Sequence, residues 1–246
     1  MATLSLERVR ATVHRLFIDA TEASLRKEDE QKSRELAGLL VHVARIKKGA
    51  HVVDAAAGKA SVGLVAAELL PLARVTILER DPVRIAACRS AATRLGRDVA
   101  VDVRQADVAD PAAWPEEPDA IVALHACGGA ADLVIDGAIR CRARRLILAP
   151  CCYGETVPFR AHAARVVASQ LPFAADDLIR RRITASLVDG ERTLRLEAAG
   201  FETQLEEFVG PTVTPHNLVF LARRTGSEVR IARANERAAA LRAAAK

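Results

Sequence analysis

The side chains best equipped for chemistry fall in two short runs: His125 and Cys127 in LHACGG, and Cys151, Cys152 and Tyr153 in APCCYG. An imidazole can take or orient a proton, thiolates can attack carbon or hold a soft metal, and a phenol can donate a hydrogen bond. A third set is suited to holding a ligand. In AHVVDAAAGKASVG (Ala50 to Gly63) a β-branched run ends in Asp54, passes through small residues around Gly58, and enters an apolar segment, LVAAELL. That order describes a strand, a tight turn and a helix N-terminus, where a ligand meets backbone N–H groups and the positive end of a helix dipole. The next strand, RVTILERD, reaches an acid at Glu79, roughly 20 residues beyond the turn, the spacing at which a carboxylate accepts hydrogen bonds from ribose hydroxyls.

Three ligand classes use such a turn. A phosphate-binding P-loop, G-x-x-x-x-G-K-[ST], fails twice, because the position five before Gly58 is Val53 and Lys59 is followed by Ala60. A dinucleotide fingerprint on Gly58, Ala60 and Gly63 lacks its central glycine. The pattern acid-x-G-x-G-x-G, first motif of class I S-adenosylmethionine-dependent methyltransferases, is met by Asp54, Ala56, Gly58 and Ala60, with alanine at two glycine positions. Alanine is tolerable there if positions 56 and 60 keep φ below zero, since the left-handed region costs an L-residue about 1 kcal/mol; Gly58 is then expected in the strained place. A βαβ turn without a ligand is the competing reading.

These residues need a scaffold. With 246 residues and 50% hydrophobic content the chain suits one α/β domain with appended helices. From Leu4 to about Lys48 the periodicity is helical, with Leu6, Val9, Val13, Leu16 and Phe17 on one stripe and Leu36, Leu39, Leu40 and Val43 on another. Residues 1–48 are expected as an N-terminal helical region, either a cap over the ligand pocket or a pair packed on the sheet. The charged run RKEDEQKSRE is expected to mark the junction between its helices; Lys32 and Arg34 in it could reach an anion but are expected on a solvated face. Residues 49–225 form the sheet domain. In it PVRIAACRSAATRLG is a helix opened by Pro82 and closed by Gly96, and VAVDVRQAD and DAIVALHACGG are the third and fourth strands. RRLILAPCCYG is the fifth, so the His/Cys runs end neighbouring strands at the crevice where open α/β sheets bind ligand. FETQLEEFVG and NLVFLARR, joined by PTVTPHN, are the last two strands, and residues 226–246 an Ala/Arg helix expected to be exposed and frayed.

LHACGGAAD (Leu124 to Asp132) together with APCCYG (Ala149 to Gly154) resembles a group of class I methyltransferases that pair L-H-x-C-G-x-x-x-D with a later C-C-Y or C-C-H segment. The group includes the eukaryotic tRNA acceptor-stem 2′-O-methyltransferases and methyltransferase-like proteins. Asp54, Gly58 and Lys59 match its first motif, D-x-G-x-G-K-G, while Ala56 and Ala60 depart. The resemblance implies a Rossmann-like sheet, mostly parallel with a C-terminal antiparallel hairpin, helices on both faces and S-adenosylmethionine as cofactor. It implies cofactor contacts at Asp54, Ala56, Gly58, Glu79, Arg80, Asp107, Val108 and Leu124, with Asp107 against the adenine amino group and Val108 beside the ring. It places His125, Cys127 and Tyr153 at the transfer site. An alternative for Asp107 is a turn role in QADVADPAAW, and for His125 a structural hydrogen bond.

Composition bounds the partners. The net charge of +5 and pI near 9.2 admit a polyanionic substrate such as RNA, yet the excess is arginine spread along the chain and aromatics are only 3%, little material for base stacking. Arg180, Arg181 and Arg182 form the densest basic patch, which also suits a solvated helix face. The tRNA members of the group carry N-terminal zinc-finger modules, whereas this chain has no cysteine before Cys88. No apolar run is long enough to span a bilayer and no secretory signal is read, so the expected location is cytoplasmic, without membrane association. The five cysteines show no disulfide-scaffold pattern, as in a reducing compartment. His125, Cys127, Cys151 and Cys152 have zinc-ligand chemistry, but adjacent residues of an extended chain face opposite ways, so no metal is expected. The function expected is methyl transfer to an unidentified acceptor, RNA before protein or small molecule; the alternative is a non-catalytic nucleoside-binding, RNA-associated module.

Overall fold

The computed structural model describes residues 4–18, 25–171 and 176–244. Two helices, α1 (Leu6–Phe17) and α2 (Lys27–Val43), precede β1 (Ala50–Ala55), α3 (Ser61–Leu69), β2 (Leu72–Glu79), α4 (Pro82–Ala92), β3 (Ala100–Gln105) and β4 (Ala120–Ala126). The chain continues through α5 (Ala130–Arg140), β5 (Arg145–Pro150), α6 (Arg160–Gln170), α7 (Asp177–Ala198), β6 (Phe201–Glu207), β7 (Leu218–Arg224) and α8 (Glu228–Ala243). The charged run expected as a junction is instead the first half of α2. Glu28, Asp29 and Glu30 occupy its first turn, where carboxylates favour the helix dipole, and the Asp29 side chain accepts from the Arg26 N–H. The connection between the two helices runs over residues 18–26, of which 19–24 lie outside the described residues.

The sheet has seven strands in the order β3-β2-β1-β4-β5-β7-β6. The first five are parallel; β7 runs antiparallel to both β5 and β6, which makes the expected C-terminal hairpin. The middle strands β1, β4 and β5 are almost wholly buried, the mark of parallel strands covered on both faces, whereas β3 at one edge alternates. On one face Val9, Val13, Leu16, Leu36, Leu39 and Leu40 of α1 and α2 share a core with α3 and with Val52, Val75 and Val122 of the sheet. On the other, Val134 and Ile135 of α5 and Leu196 of α7 pack with Trp114, Ile121, Leu148 and Phe220. The N-terminal pair thus packs on the sheet, and α2 approaches closely: a Cβ on Gly38 would run into the Phe208 carbonyl.

The last helix is docked, contrary to the expectation of a frayed tail. Ala234 and Ala238 are buried, and Arg230 pairs with Glu197 of α7 and Glu202 of β6. Helix starts are fixed by local chemistry: Asp81 accepts from Val83 N–H and Arg84 N–H ahead of Pro82, and Asp176 accepts from Leu178 N–H and Ile179 N–H.

Candidate functional site

The turn between β1 and α3 has a left-handed residue at every second position. Ala56 lies at φ 52°, Gly58 at 60° and Ala60 at 56°. The expectation that both alanines keep negative φ is therefore wrong: the turn keeps the conformation that glycines adopt freely, and the alanines bear the strain. Two carboxylates tie it down. Asp54, 1% exposed, accepts from Gly63 N–H at 2.7 Å. Burial pushes its carboxyl up to about 7, with the Gly63 hydrogen bond and the Lys32 ammonium pulling the other way. Gly63 is there because its Cα must lie against Asp54; a Cβ would stand 2.9 Å from the Asp54 Cβ. Glu79, at the end of β2, accepts from Gly58 N–H at 2.7 Å, Arg80 N–H at 3.0 Å and Asp81 N–H at 2.9 Å. A side chain built on Gly58 would meet nothing within 4 Å, so the space over that backbone is open to a ligand.

The remaining cofactor candidates are distributed around this turn. Asp107 accepts from Ala109 N–H at 2.9 Å, which is its turn role, and also faces the Arg80 guanidinium at 3.4 Å. Arg80 is otherwise exposed. Val108 is buried with Trp114, whose indole N–H donates to the Val108 carbonyl. Leu124 is partly buried beside the core under α2 and α3, and Ala56 beside the opposite one.

The pairing of β4 with β5 skips one residue: Leu124 faces Ala149 and Ala126 faces Pro150, with His125 bulged between them at φ 62°. A bulge re-aims its side chain, and a left-handed histidine is a strained one. His125 Nε2 lies 2.6 Å from Glu35 Oε2. Glu35 comes from α2 and is 3% exposed, while the imidazole is 36% exposed and so open to solvent. Burial raises the Glu35 carboxyl, but hydrogen bonds from His125 and Gln31 outweigh it and hold the group below its ordinary range. An ionised Glu35 accepts from Nε2–H, and in a neutral imidazole that tautomer leaves Nδ1 as the acceptor. Lys32 completes the group. Burial lowers its ammonium, opposed by the charges of Asp54 and Glu35; Lys32 is half-buried, not on the solvated face expected of it, and Arg34 is exposed.

Tyr153 is brought to the same end of the sheet but is engaged. Its hydroxyl donates to Asp189 at 2.7 Å, and burial with the Asp189 charge pushes the phenol far above its usual range. Behind it, Arg192, fully buried, binds Asp132 at 2.8 Å, and Arg195 binds the same carboxylate at 2.6 Å. Asp132, last residue of the L-H-x-C-G-x-x-x-D segment, is thus the anchor of α7 on α5.

Cys127 and Cys151 are in disulfide contact, although the five cysteines show no disulfide-scaffold pattern, and the sulfur of Cys152 lies with theirs in one group, all within 4.8 Å of one another. Strand alternation does not apply to them, because β5 ends at Pro150, and Cys151 and Cys152 follow in a loop. Beyond Tyr153 opens a cleft of about 1350 Å³, lined by Pro150, Arg160, Arg181, Arg182, Asp189 and Asn217 among others. The arginine run of α7 faces this cleft as well as solvent. Among the described residues no helix is long and apolar enough to cross a membrane.

Glu35 and Asp189 carry no signal in the sequence. Lys32 reads there as one charge of a solvated run, and Gly63 as the last glycine of a failed dinucleotide pattern, although a glycine inside an apolar helix start is a local sign of close approach.

Residues 26–157, more than half of the chain, match a family model described as a methyltransferase domain. Over 135 residues the chain is 33% identical to a glutathione S-transferase C-terminal domain-containing protein of Mus musculus, covering 55% of this chain and 20% of that one. This chain spans about a fifth to a third of the length of the curated relatives it matches. Among solved structures, the ribosomal protein L11 methylase from Lactobacillus delbrueckii subsp. bulgaricus is similar, with TM-score 0.50 and 14% identity over 80% of each chain. So is magnesium protoporphyrin IX methyltransferase from Synechocystis PCC 6803 with bound SAH, TM-score 0.50 and 15% identity over 87% of this chain and 93% of that one. These similarities are of fold.

Proposed function

Because this chain belongs to the methyltransferase-domain family, we propose that it transfers a methyl group from S-adenosylmethionine to an acceptor seated beside His125, and that the acceptor is anionic, RNA before a protein side chain or a small molecule. The observation that carries the reading is the bulged, left-handed His125 held by the buried Glu35, one strand from the β1–α3 turn. Backbone strain of this kind persists where the surroundings over-determine it, and functional sites are where it collects.

The residues fit the cofactor. The turn at 56–60 presents backbone N–H groups at the start of α3, open space lies over Gly58, and Glu79 offers a carboxylate at the end of the second strand for a ribose diol. Arg80 and Asp107 border the same edge, and Leu124 leads into His125. When bound, S-adenosylmethionine supplies an electrophilic methyl on sulfonium. The chain's own work is then positional: Asp54 holds Gly63 so that α3 begins where it does, and the Glu35 carboxylate keeps the His125 proton on Nε2. Nδ1 is left to take the acceptor's proton, which is the balance the transfer requires when a hydroxyl or N–H is methylated. Tyr153, tied to Asp189, lines the cleft that also holds the arginine run. That cleft supports an anionic acceptor, as does the resemblance of the segments Leu124–Asp132 and Ala149–Gly154 to a group that includes tRNA methyltransferases. The positive φ kept at Ala56 and Ala60 supports ligand binding at this turn, and the turnover of His125→Ala separates an enzyme from a non-catalytic module.

Calorimetry with S-adenosylhomocysteine and NAD tests the cofactor. S-adenosylhomocysteine is expected to bind, and Glu79→Ala to weaken it by about 1.5 to 3 kcal/mol, the scale of a hydrogen bond to a charged group. NAD binding more tightly than the adenosyl ligand would overturn the assignment. Methyl transfer from labelled S-adenosylmethionine to RNA pools, repeated with His125→Ala and Glu35→Gln, tests the dyad. Both substitutions are expected to lower turnover, the first by about 10² to 10⁴-fold, with little change in cofactor affinity.

A further inference from the structure

We propose that the reduced thiols of Cys127, Cys151 and Cys152 form a three-coordinate site for a thiophilic d¹⁰ cation, Zn²⁺ in class, with its fourth position open to solvent. Three sulfurs from two strand ends, all within 4.8 Å of one another, form a candidate metal-binding group among the described residues. Three thiolates on one zinc ion at about 2.3 Å stand roughly 3.8 Å apart, a separation that small side-chain rotations reach from this arrangement. Soft thiolate ligands select zinc-like and cuprous ions over hard ones.

The surroundings are built for charge on sulfur. Gly128 N–H donates to Cys152 Sγ at 2.9 Å, and α5 begins two residues later, with the positive end of its dipole at the turn that carries Cys127. That turn is itself fixed. Gly128 is left-handed and packs on Thr156, whose hydroxyl accepts from Gly129 N–H at 3.3 Å, so the Cys127 loop and the Cys151–Thr156 loop are locked together. Cys127 is exposed and the other two are half-buried, which leaves one side of the group facing water. No carboxylate or imidazole joins the cluster among the described residues. Three protein ligands with an exchangeable fourth is the pattern of reactive zinc sites, whereas structural ones are closed by four. Binding requires each thiol to lose its proton, and it competes with the Cys127–Cys151 disulfide, which would remove two of the three ligands.

The site is tested without any methyl acceptor. Full-length protein is reduced, freed of reductant under anaerobic conditions and titrated with Co²⁺ as a coloured substitute for Zn²⁺. A thiolate-to-metal charge-transfer band saturating at one equivalent and displaced by Zn²⁺ is expected. Cys127→Ser, Cys151→Ser and Cys152→Ser should each weaken cobalt binding at least about tenfold, while Cys88→Ser and Cys141→Ser leave the titration unchanged. In the unsubstituted protein Zn²⁺ should also protect Cys127, Cys151 and Cys152 from alkylation without protecting Cys141, a readout that does not depend on any variant folding. Absence of the band, its survival in the three serine variants, or a Cys127–Cys151 disulfide that resists reduction overturns the inference. S-adenosylhomocysteine binding, measured in parallel, reports on the methyltransferase reading separately.

Discussion

Ala56 and Ala60 share a conformation but not a surrounding, and that separates what glycine would do at each. Ala56 is partly exposed, so Ala56→Gly relieves left-handed strain at little packing loss and is expected to raise unfolding free energy by about 0.5 to 1 kcal/mol in urea titrations. Ala60 is fully buried, and losing its methyl gives back about 0.8 kcal/mol, so Ala60→Gly should be close to neutral. Asp54 gives a pH signature. Its folded carboxyl titrates near 7 against an ordinary 3.8, so the folded state binds the extra proton in between. Its contribution is fully present below about pH 4 and is lost as pH rises through about 7, on the order of 1 kcal/mol per pH unit. Asp54→Asn, which keeps an oxygen for Gly63 N–H, should remove that slope when melts of the two proteins are compared across this range. Asp54, Gly58 and Glu79 are legible in the sequence because their spacing along one βαβ unit is itself the signal. Glu35 is not, since nothing in EQKSRE says that a later strand will bulge a histidine toward it. The φ values of Ala56 and Ala60 depart from expectation for a related reason: an intrinsic preference of about 1 kcal/mol yields to two carboxylates pinning the turn from both sides.

At the level of elements, α7 is attached to α5 through a buried ion pair. Arg192 is 0% exposed and Asp132 3%, so Asp132→Ala leaves a buried guanidinium with Asp189 as its remaining carboxylate partner among the described residues and is expected to cost about 3 to 5 kcal/mol in equilibrium unfolding. Replacing Arg192 and Asp132 together with apolar residues should cost much less, because the penalty belongs to the unpaired charge. The helix stripes of α1 and α2 and the order of the first five strands are readable from periodicity. The start of α2 is not, because a run of ten mostly charged residues looks like a linker until three acids are seen to sit in the first turn of a helix. The Asp132–Arg192 pair joins residues sixty positions apart, and no local pattern announces it. The docking of α8 is hidden likewise, since two buried alanines and one arginine among so many leave no apolar stripe to read.

For the molecule as a whole, charge and shape converge on the cleft beside Tyr153. If an RNA backbone occupies it, Arg181→Glu with Arg182→Glu should weaken binding of single-stranded RNA and flatten its salt dependence by about 0.7 in slope for each phosphate no longer neutralised, as read by fluorescence anisotropy at several salt concentrations. Unchanged slopes would place these arginines outside the interface. The sheet carries a further consequence through its order, β5-β7-β6. As the ribosome delivers the chain, β1 to β5 can pair as they emerge, but β6 has no neighbour waiting: among the described residues it pairs with β7 alone, and the slot beside β5 stays vacant until Leu218–Arg224 has left the exit tunnel. Until then the buried strand Arg145–Pro150 is a bare edge, offering its unpaired backbone groups to any extended segment nearby. The interval of greatest aggregation risk for the nascent protein is therefore set by the time taken to translate the stretch from Cys151 to Arg224, which encodes two helices and a strand before the one that seals the sheet.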